Sequence, residues 1–151
     1  MKLVGAVLLV ALCALNGCSH KSHSIAKDEA RKLLIDRNWI DKWPTSRTDK
    51  LHVFRFVPQM GGGVFQDRTI YKGQFELFQF MVDGDQIQFD LPEKNERVIS
   101  KFRIDKVDGP HPFDLKLTVE NDPRGPHEYY GILEENDPDG HVLEQKLHAV
   151  K

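Results

Sequence analysis

Residues 75–91 give the clearest indication of the fold. They have the sequence FELFQFMVDGDQIQFDL, with an alternating apolar run on each side of Asp83-Gly84. An Asp-Gly pair between two such runs is a strong hairpin signal, because these residues readily take the left-handed conformations that tight turns require. We therefore predict an antiparallel β-hairpin over residues 75–91.

The loop length fixes the register of this hairpin. With Asp83-Gly84 as the loop, Val82 opposes Asp85, Phe80 opposes Ile87, and Phe78 opposes Phe89. One face then carries Phe78, Phe80, Val82, Ile87, Phe89 and Leu91. The other carries Gln79, Met81, Gln86, Gln88 and Asp90, with Phe75 and Leu77 towards its far end. A slip of one residue would place the aromatic side chains in water, so the pattern specifies the buried face.

The same alternation continues along most of the chain. It predicts short strands at residues 53–57, 64–71, 75–82, 85–91, 98–105, 113–120 and 129–133. Turn signals separate them, including Gly61–Gly63 and Asp122–Pro126. A meander of this kind leaves two exposed edges unless it closes on itself. We predict a mainly β chain, an antiparallel up-and-down meander of about seven strands that closes into a small barrel.

One helix is predicted before the strands, over Ile25 to Asn38, with Ser24 as its N-cap. Acidic residues lie early in this segment and basic residues late, as the helix dipole favours. The segment 39–44 holds two tryptophans and ends with Pro44. We interpret it as a turn that packs apolar surface against the core.

The C-terminal region leaves two alternatives open. Leu143, Leu147 and Val150 have helical spacing, which is typical of a short docking helix but also fits a frayed end. The segment 135–140, ENDPDG, echoes the first half of a calcium loop. Lys146 stands where such a loop needs its bidentate Glu, so we favour a β-turn.

An apolar leader precedes the domain. After Lys2, residues 3–15 (LVGAVLLVALCAL) are all apolar or small. A run of about 13 residues is shorter than the roughly 20 that span a bilayer, but it suits the core of a signal peptide. The run ends in Leu15-Asn16-Gly17-Cys18.

This tetrapeptide resembles the lipobox of bacterial lipoprotein signal peptides, with Asn16 as a departure from the pattern. The resemblance implies that residues 1–17 are removed and that Cys18 becomes an acylated N-terminus, with palmitate among its chains. Residues 18–24 would then be a tether and 25–151 a single domain. Ser19 after the cysteine implies an outer-membrane protein facing the periplasm. Cys13 would leave with the leader.

The strand pattern from residue 39 to residue 133 resembles the lipocalin and calycin group of small up-and-down barrels. Those proteins carry a short N-terminal helix and a tryptophan that closes the barrel floor. The resemblance gives that place to Trp39 or Trp43, although Arg37 stands where the family has glycine. It implies a fold and no residue-level function.

Several classes of function find no support. A formal charge of −2 offers no footprint for nucleic acid. No serine lies in a nucleophile-elbow context, and the glycine run lacks the Lys-Ser/Thr of a phosphate loop. His20 and His23 follow Cys18, a cysteine that acylation would block, which argues against a metal site. We expect no enzyme, no cofactor and no metal.

Candidate ligand-binding residues are Glu76, Phe78, Phe80, Arg124, His127 and Tyr129. Glu76 shares the predicted interior face, where a carboxylate needs a partner or a raised pKa, unless it lies at a wet rim. The Arg, His and Tyr follow a Pro-Gly turn and would be loop-borne ligand contacts. The alternative is a turn arginine beside packing tyrosines.

Two functions follow. The first is a lipid-anchored envelope module that binds an apolar or amphipathic small ligand. The alternative is a structural or protein-interaction lipoprotein, an inhibitor or assembly accessory with a filled barrel. Interior volume and an exposed apolar patch distinguish them.

Overall fold

The computed structural model describes residues 23–35, 37–133, 135–137 and 141–151. This part of the chain contains nine β-strands, two α-helices and a 3-10 turn at Pro58–Met60. The strands are β1 (His23–Ser24), β2 (Asn38–Ile40), β3 (Leu51–Val57), β4 (Gly62–Arg68), β5 (Gly73–Asp83), β6 (Gln86–Leu91), β7 (Glu96–Lys106), β8 (Leu115–Val119) and β9 (Glu128–Gly131). The helices are α1 (Lys27–Leu34) and α2 (His141–His148). The predicted signal peptide, Cys18 and the tether as far as Ser22 lie outside the described residues.

Strands β2 to β9 form a closed antiparallel barrel. Each strand pairs with the next along the chain, and β9 returns to β2 through Tyr130 and Ile40. The predicted mainly β meander is therefore confirmed, but the predicted count of seven is wrong. Eight strands close the barrel, and β1 adds a short pairing beside β7.

The strand missing from the prediction is β2. It covers the last residue of the predicted helix and the first two residues of the segment that we interpreted as a turn, and its Trp39 pairs with Phe54 of β3. Three residues are too few to show alternation, so pairing with β3 and β9 alone makes this segment a strand. The first of three glycines ends the 3-10 turn, whereas Gly62 and Gly63 belong to β4. A Cβ on Gly62 would lie 2.2 Å from the Phe78 carbonyl oxygen, so close packing between β4 and β5 explains why residue 62 is glycine.

The hairpin between β5 and β6 has the predicted faces but not the predicted register. Phe80 lies opposite Phe89 rather than Ile87, so the loop is residues 84–85 instead of 83–84. Gly84 has φ +58°, at the first loop position, which a type II′ turn assigns to glycine. A shift of two residues keeps every side chain on its face, because the strand repeat is two.

The barrel has a large stagger. Followed once around all eight strands, the pairing that starts at Lys106 returns to β7 at the level of Lys94, twelve residues earlier. Such a stagger tilts the strands and widens the barrel. The loops 41–50, 69–72, 92–95 and 120–127 lie at one end, which we call the mouth. The 3-10 turn, the loop 84–85 and the segment 107–114 lie at the other, which we call the α1 end.

Helix α1 covers the α1 end. The helix is shorter than the predicted 25–38. Ser24 does not cap it, because Ser24 belongs to β1 and pairs with Asp105 of β7. The predicted N-cap is therefore wrong, since strand pairing engages Ser24 first. Lys27 Nζ donates to Asp85 Oδ2 at 3.0 Å, and Leu34 is fully buried in the barrel core.

Aromatic rings fill the barrel. The centroid of Phe54 lies 5.0–5.8 Å from those of Phe56, Phe65, Phe78, Phe89 and Tyr129. Trp39 is fully buried in the same cluster, and its indole N–H donates to the Leu34 carbonyl at 3.0 Å. Edge-to-face and stacked rings at these distances are in van der Waals contact.

The tail forms a docking helix, which settles the alternative left open above. Helix α2 buries Leu143 and Leu147 in a second cluster outside the barrel wall, with Ile40, Leu51, Val53, Phe113 and Ile132. The Asp137 carboxylate accepts the backbone N–H groups of Val142 and Leu143 at 2.8 and 3.2 Å. This residue of the calcium-loop hypothesis is thus a helix cap. Neither described helix has the length and hydropathy to cross a membrane.

Candidate functional site

A buried ion pair joins two predicted site residues at the barrel mouth. Glu76 lies on the interior face of β5, opposite Phe65 of β4. Arg124, in the β8–β9 loop, directs both terminal guanidinium nitrogens at the two Glu76 carboxylate oxygens. The Arg124 side chain is 4% exposed and that of Glu76 is 18% exposed. Glu76 therefore has a charged partner.

The arginine also packs on an aromatic ring. Its guanidinium carbon lies 5.1 Å from the Phe65 centroid, in cation–π range. His52 stacks on Phe65 with centroids 5.7 Å apart. The buried Nε of Arg124 has no hydrogen-bond partner among the described residues. Charge and ring contacts, not a complete hydrogen-bond shell, hold this side chain.

Asp122 shapes the loop that carries Arg124. Its Oδ1 accepts the Arg124 backbone N–H at 2.8 Å, and its Oδ2 accepts that of His127 at 3.1 Å. Asn121 and His127 have φ of +55° and +67°, left-handed conformations that are uncommon outside glycine. Strained residues of this kind persist where the surrounding structure fixes them. The loop is therefore built to hold Arg124 in the mouth.

Tyr129 belongs to the same network. Its hydroxyl donates to Asp122 Oδ2 at 2.6 Å. Burial raises the pKa of Tyr129 far above its usual range, and the Asp122 charge raises it further. The hydroxyl is thus a permanent hydrogen-bond donor and not an acid at physiological pH.

A second polar pair lies beside the mouth. Asp41 Oδ2 is 2.8 Å from His52 Nδ1, and Asp41 Oδ1 accepts the His52 backbone N–H at 2.7 Å. An open depression of about 600 Å³ borders both residues and is also lined by Arg124 and Tyr130. The sequence patterns singled out neither residue. Asp41 follows a strand that is too short to predict, and His52 lies within the largely apolar strand β3.

The predicted site residues divide into two groups. Glu76, Arg124 and Tyr129 meet at the mouth, with Asp122 joining the last two. Phe78 and Phe80 lie outside that network, and His127 enters it only through its backbone N–H. Phe78 is a buried interior ring, Phe80 packs on Phe56 with centroids 5.1 Å apart, and His127 is exposed with Nδ1 3.4 Å from the Val119 carbonyl oxygen.

Asp122 and Phe65 were not predicted as site residues. The Asp122-Pro123 pair indicated a turn. Aspartate side chains in turns often accept backbone N–H groups a few residues later, and this was the available clue to the role of Asp122 in shaping the loop.

The outer surface of β5 presents a line of apolar side chains. Phe75, Leu77 and Met81 point away from the barrel and are all more than half exposed. Leu77 pairs with Val64 of β4. Met81 pairs with Gln88 of β6, and Gln88 pairs with Ile99 of β7, which is also exposed. We call Val64, Phe75, Leu77, Met81 and Ile99 the β5 face.

A cleft of about 360 Å³ lies beneath α1. Its lining combines the apolar residues Ile25, Ala30 and Phe102 with charged residues of both signs, namely Lys27, Lys101, Arg103, Asp85 and Glu120. This mixture suits a small amphipathic molecule better than a purely apolar one.

No family model, curated protein or solved structure matches this chain.

Proposed function

We propose that this protein is a lipid-anchored envelope module that acts by contact with another envelope protein through its β5 face. The observation that carries the proposal is the contrast between a barrel interior packed with aromatic rings and an outer face lined with exposed apolar side chains. Exposed apolar patches mark interaction sites, because solvation of such a surface is unfavourable without a partner. This is the filled-barrel alternative of the two functions derived above.

The cellular address is part of the proposal. The apolar leader and the Leu15–Cys18 tetrapeptide support acylation of Cys18, and Ser19 supports the outer membrane. A lipocalin-like relationship is also proposed. It is supported by eight-strand closure, a helix across one end and Trp39 buried at that end. Labelled palmitate on the wild-type protein but not on Cys18→Ala tests the address.

Photo-crosslinking in producing cells tests the partner. A photoreactive amino acid at Leu77 or Met81 is expected to give an adduct of discrete mass. The same amino acid at Glu128, a half-exposed residue on the outer surface of β9, provides the matched control and should give none. Leu77→Asp should abolish the adduct formed at Met81 without loss of folding, because both side chains are exposed. Equal labelling at all three positions would contradict the proposal.

A second candidate function is favoured by the cleft beneath α1. There the Lys101 and Arg103 side chains would hold the anionic head of a small amphipathic molecule, with its chain against Ile25 and Phe102. Native mass spectrometry is expected to show a retained amphiphile that Lys101→Glu releases. A wild-type protein that carries no small molecule and binds no fatty acid would exclude this candidate.

A further inference from the structure

The chain enters the barrel at the α1 end. His23 pairs with Lys106 and Ser24 with Asp105, at the last residues of β7. Four residues, 19–22, separate His23 from Cys18. Five residues of chain reach at most about 18 Å when fully extended. If Cys18 carries the anchor, the α1 end therefore lies within about that distance of the bilayer.

The segment between Cys18 and His23 is too short to allow the mouth of the barrel to contact the membrane. Strand β7 has eleven residues, which at about 3.3 Å each and a tilt near 45° give a barrel roughly 20–25 Å high. An anchor attached at the α1 end and shorter than this height cannot bring the mouth to the membrane. Two orientations remain: the barrel stands on its α1 end, or it lies on its side.

With the β5 face assigned to a protein partner, the exposed apolar side chain at the α1 end favours the standing orientation. Met60, at the tip of the loop that joins β3 to β4, is 79% exposed, the largest value among the large apolar side chains of the described residues. This loop lies at the α1 end, which is also the end of the barrel where the chain enters at His23. An apolar side chain on a protruding loop suits the headgroup boundary, where such groups are buried about 5–10 Å deep.

We propose that the barrel stands on the bilayer with its α1 end down, that Met60 enters the headgroup boundary, and that the Arg124 mouth faces away from the membrane. This inference rests on the proposed anchor at Cys18. It leaves the β5 face on the side of the barrel, free for a protein partner.

The test uses the lipidated full-length product and three single-cysteine variants, Met60→Cys, Tyr71→Cys and Leu77→Cys. The wild-type residues are all more than half exposed and represent the α1 end, the mouth and the side of the barrel. Acylation of Cys18 and removal of Cys13 would leave the new thiol as the one available for an environment-sensitive fluorophore. Each labelled protein is reconstituted in vesicles of phosphatidylethanolamine and phosphatidylglycerol, with or without brominated acyl chains.

The fluorophore at residue 60 is expected to shift to the blue and to be quenched at least roughly threefold more than the other two. Equal quenching at residues 60 and 71 would overturn the orientation. Strongest quenching at residue 77 would overturn it as well, since the barrel would then lie on its β5 face. Intact mass separates the two proposals. An unmodified Cys18 refutes both the anchor and the orientation, whereas an acylated Cys18 with the wrong quenching pattern refutes the orientation alone.

Discussion

Breaking the ion pair at the barrel mouth should destabilise the protein more than removing both charges together. The perturbation is a double-mutant cycle made of Glu76→Leu, Arg124→Met and the double variant. The pair contributes little net stability if desolvation offsets its attraction, but either charge left alone is buried without a partner. The cycle measures this difference directly.

The magnitudes follow from the burial of each partner. Glu76→Leu leaves the Arg124 guanidinium, 4% exposed, without its counter-charge, and should cost about 3–5 kcal/mol. Arg124→Met leaves a carboxylate that is 18% exposed and can recruit water, so roughly 2–3 kcal/mol is expected. Methionine also keeps an apolar contact with Phe65. The double variant should lie within about 1 kcal/mol of wild type.

Denaturant unfolding followed by circular dichroism provides the assay. The coupling free energy of the cycle should exceed about 3 kcal/mol, and Glu76→Leu should lower the melting temperature by roughly 10 °C. Lys116→Met is the matched control. It removes an exposed cross-strand pair with Glu128 and should change stability by less than about 1 kcal/mol. Additive effects of the two single variants would refute the reasoning.

Two further predictions concern the barrel wall and an outer loop. Gly63→Ala should destabilise by roughly 3 kcal/mol in the same assay, because its Cβ would lie 2.4 Å from the Phe78 ring and 2.6 Å from the Arg55 carbonyl oxygen; wild-type stability would contradict the packing described here. Hydrogen bonds from the Thr45 side chain and backbone, then from Ser46, hold the pKa of Asp49 well below its usual range. The stabilisation from these bonds is present above the unfolded-state pKa of about 3.9 and is lost as pH falls below it. A carboxyl NMR titration should find Asp49 still ionised at about pH 3, and a midpoint near 3.9 would show that these bonds are absent in solution.

The proposals assign different roles to different surfaces of one barrel. The α1 end is proposed to meet the membrane, the β5 face another protein, and the mouth is closed by the Glu76–Arg124 pair above the ring cluster. A buried ion pair is weak support for stability, since apolar replacements of similar volume often serve as well. The double variant therefore also supplies a stable protein in which the contribution of the mouth to the photo-crosslink at Met81 can be measured.

The candidate site was predictable in part. Alternation placed Glu76 on the interior face, and the turn signal placed Arg124 on a loop. No local pattern pairs these two residues, because they are 48 positions apart and meet only when the barrel closes. Asp122 shows the same limit. Its sequence context indicates a turn, but its bond to the Tyr129 hydroxyl depends on how β9 leaves that turn.

The alternation of apolar and polar residues was enough to predict which side chains face inward. Phe78, Phe80, Ile87 and Phe89 share the predicted face even though the register is two residues away, because a strand repeats every two residues and the burial of apolar groups follows that repeat. The register itself, the identity of β2 as a strand and the number of strands in the closed barrel became clear only from the three-dimensional structure. These depend on backbone pairing between distant segments and on how many rings the interior holds, and neither quantity is written in any local stretch of the chain.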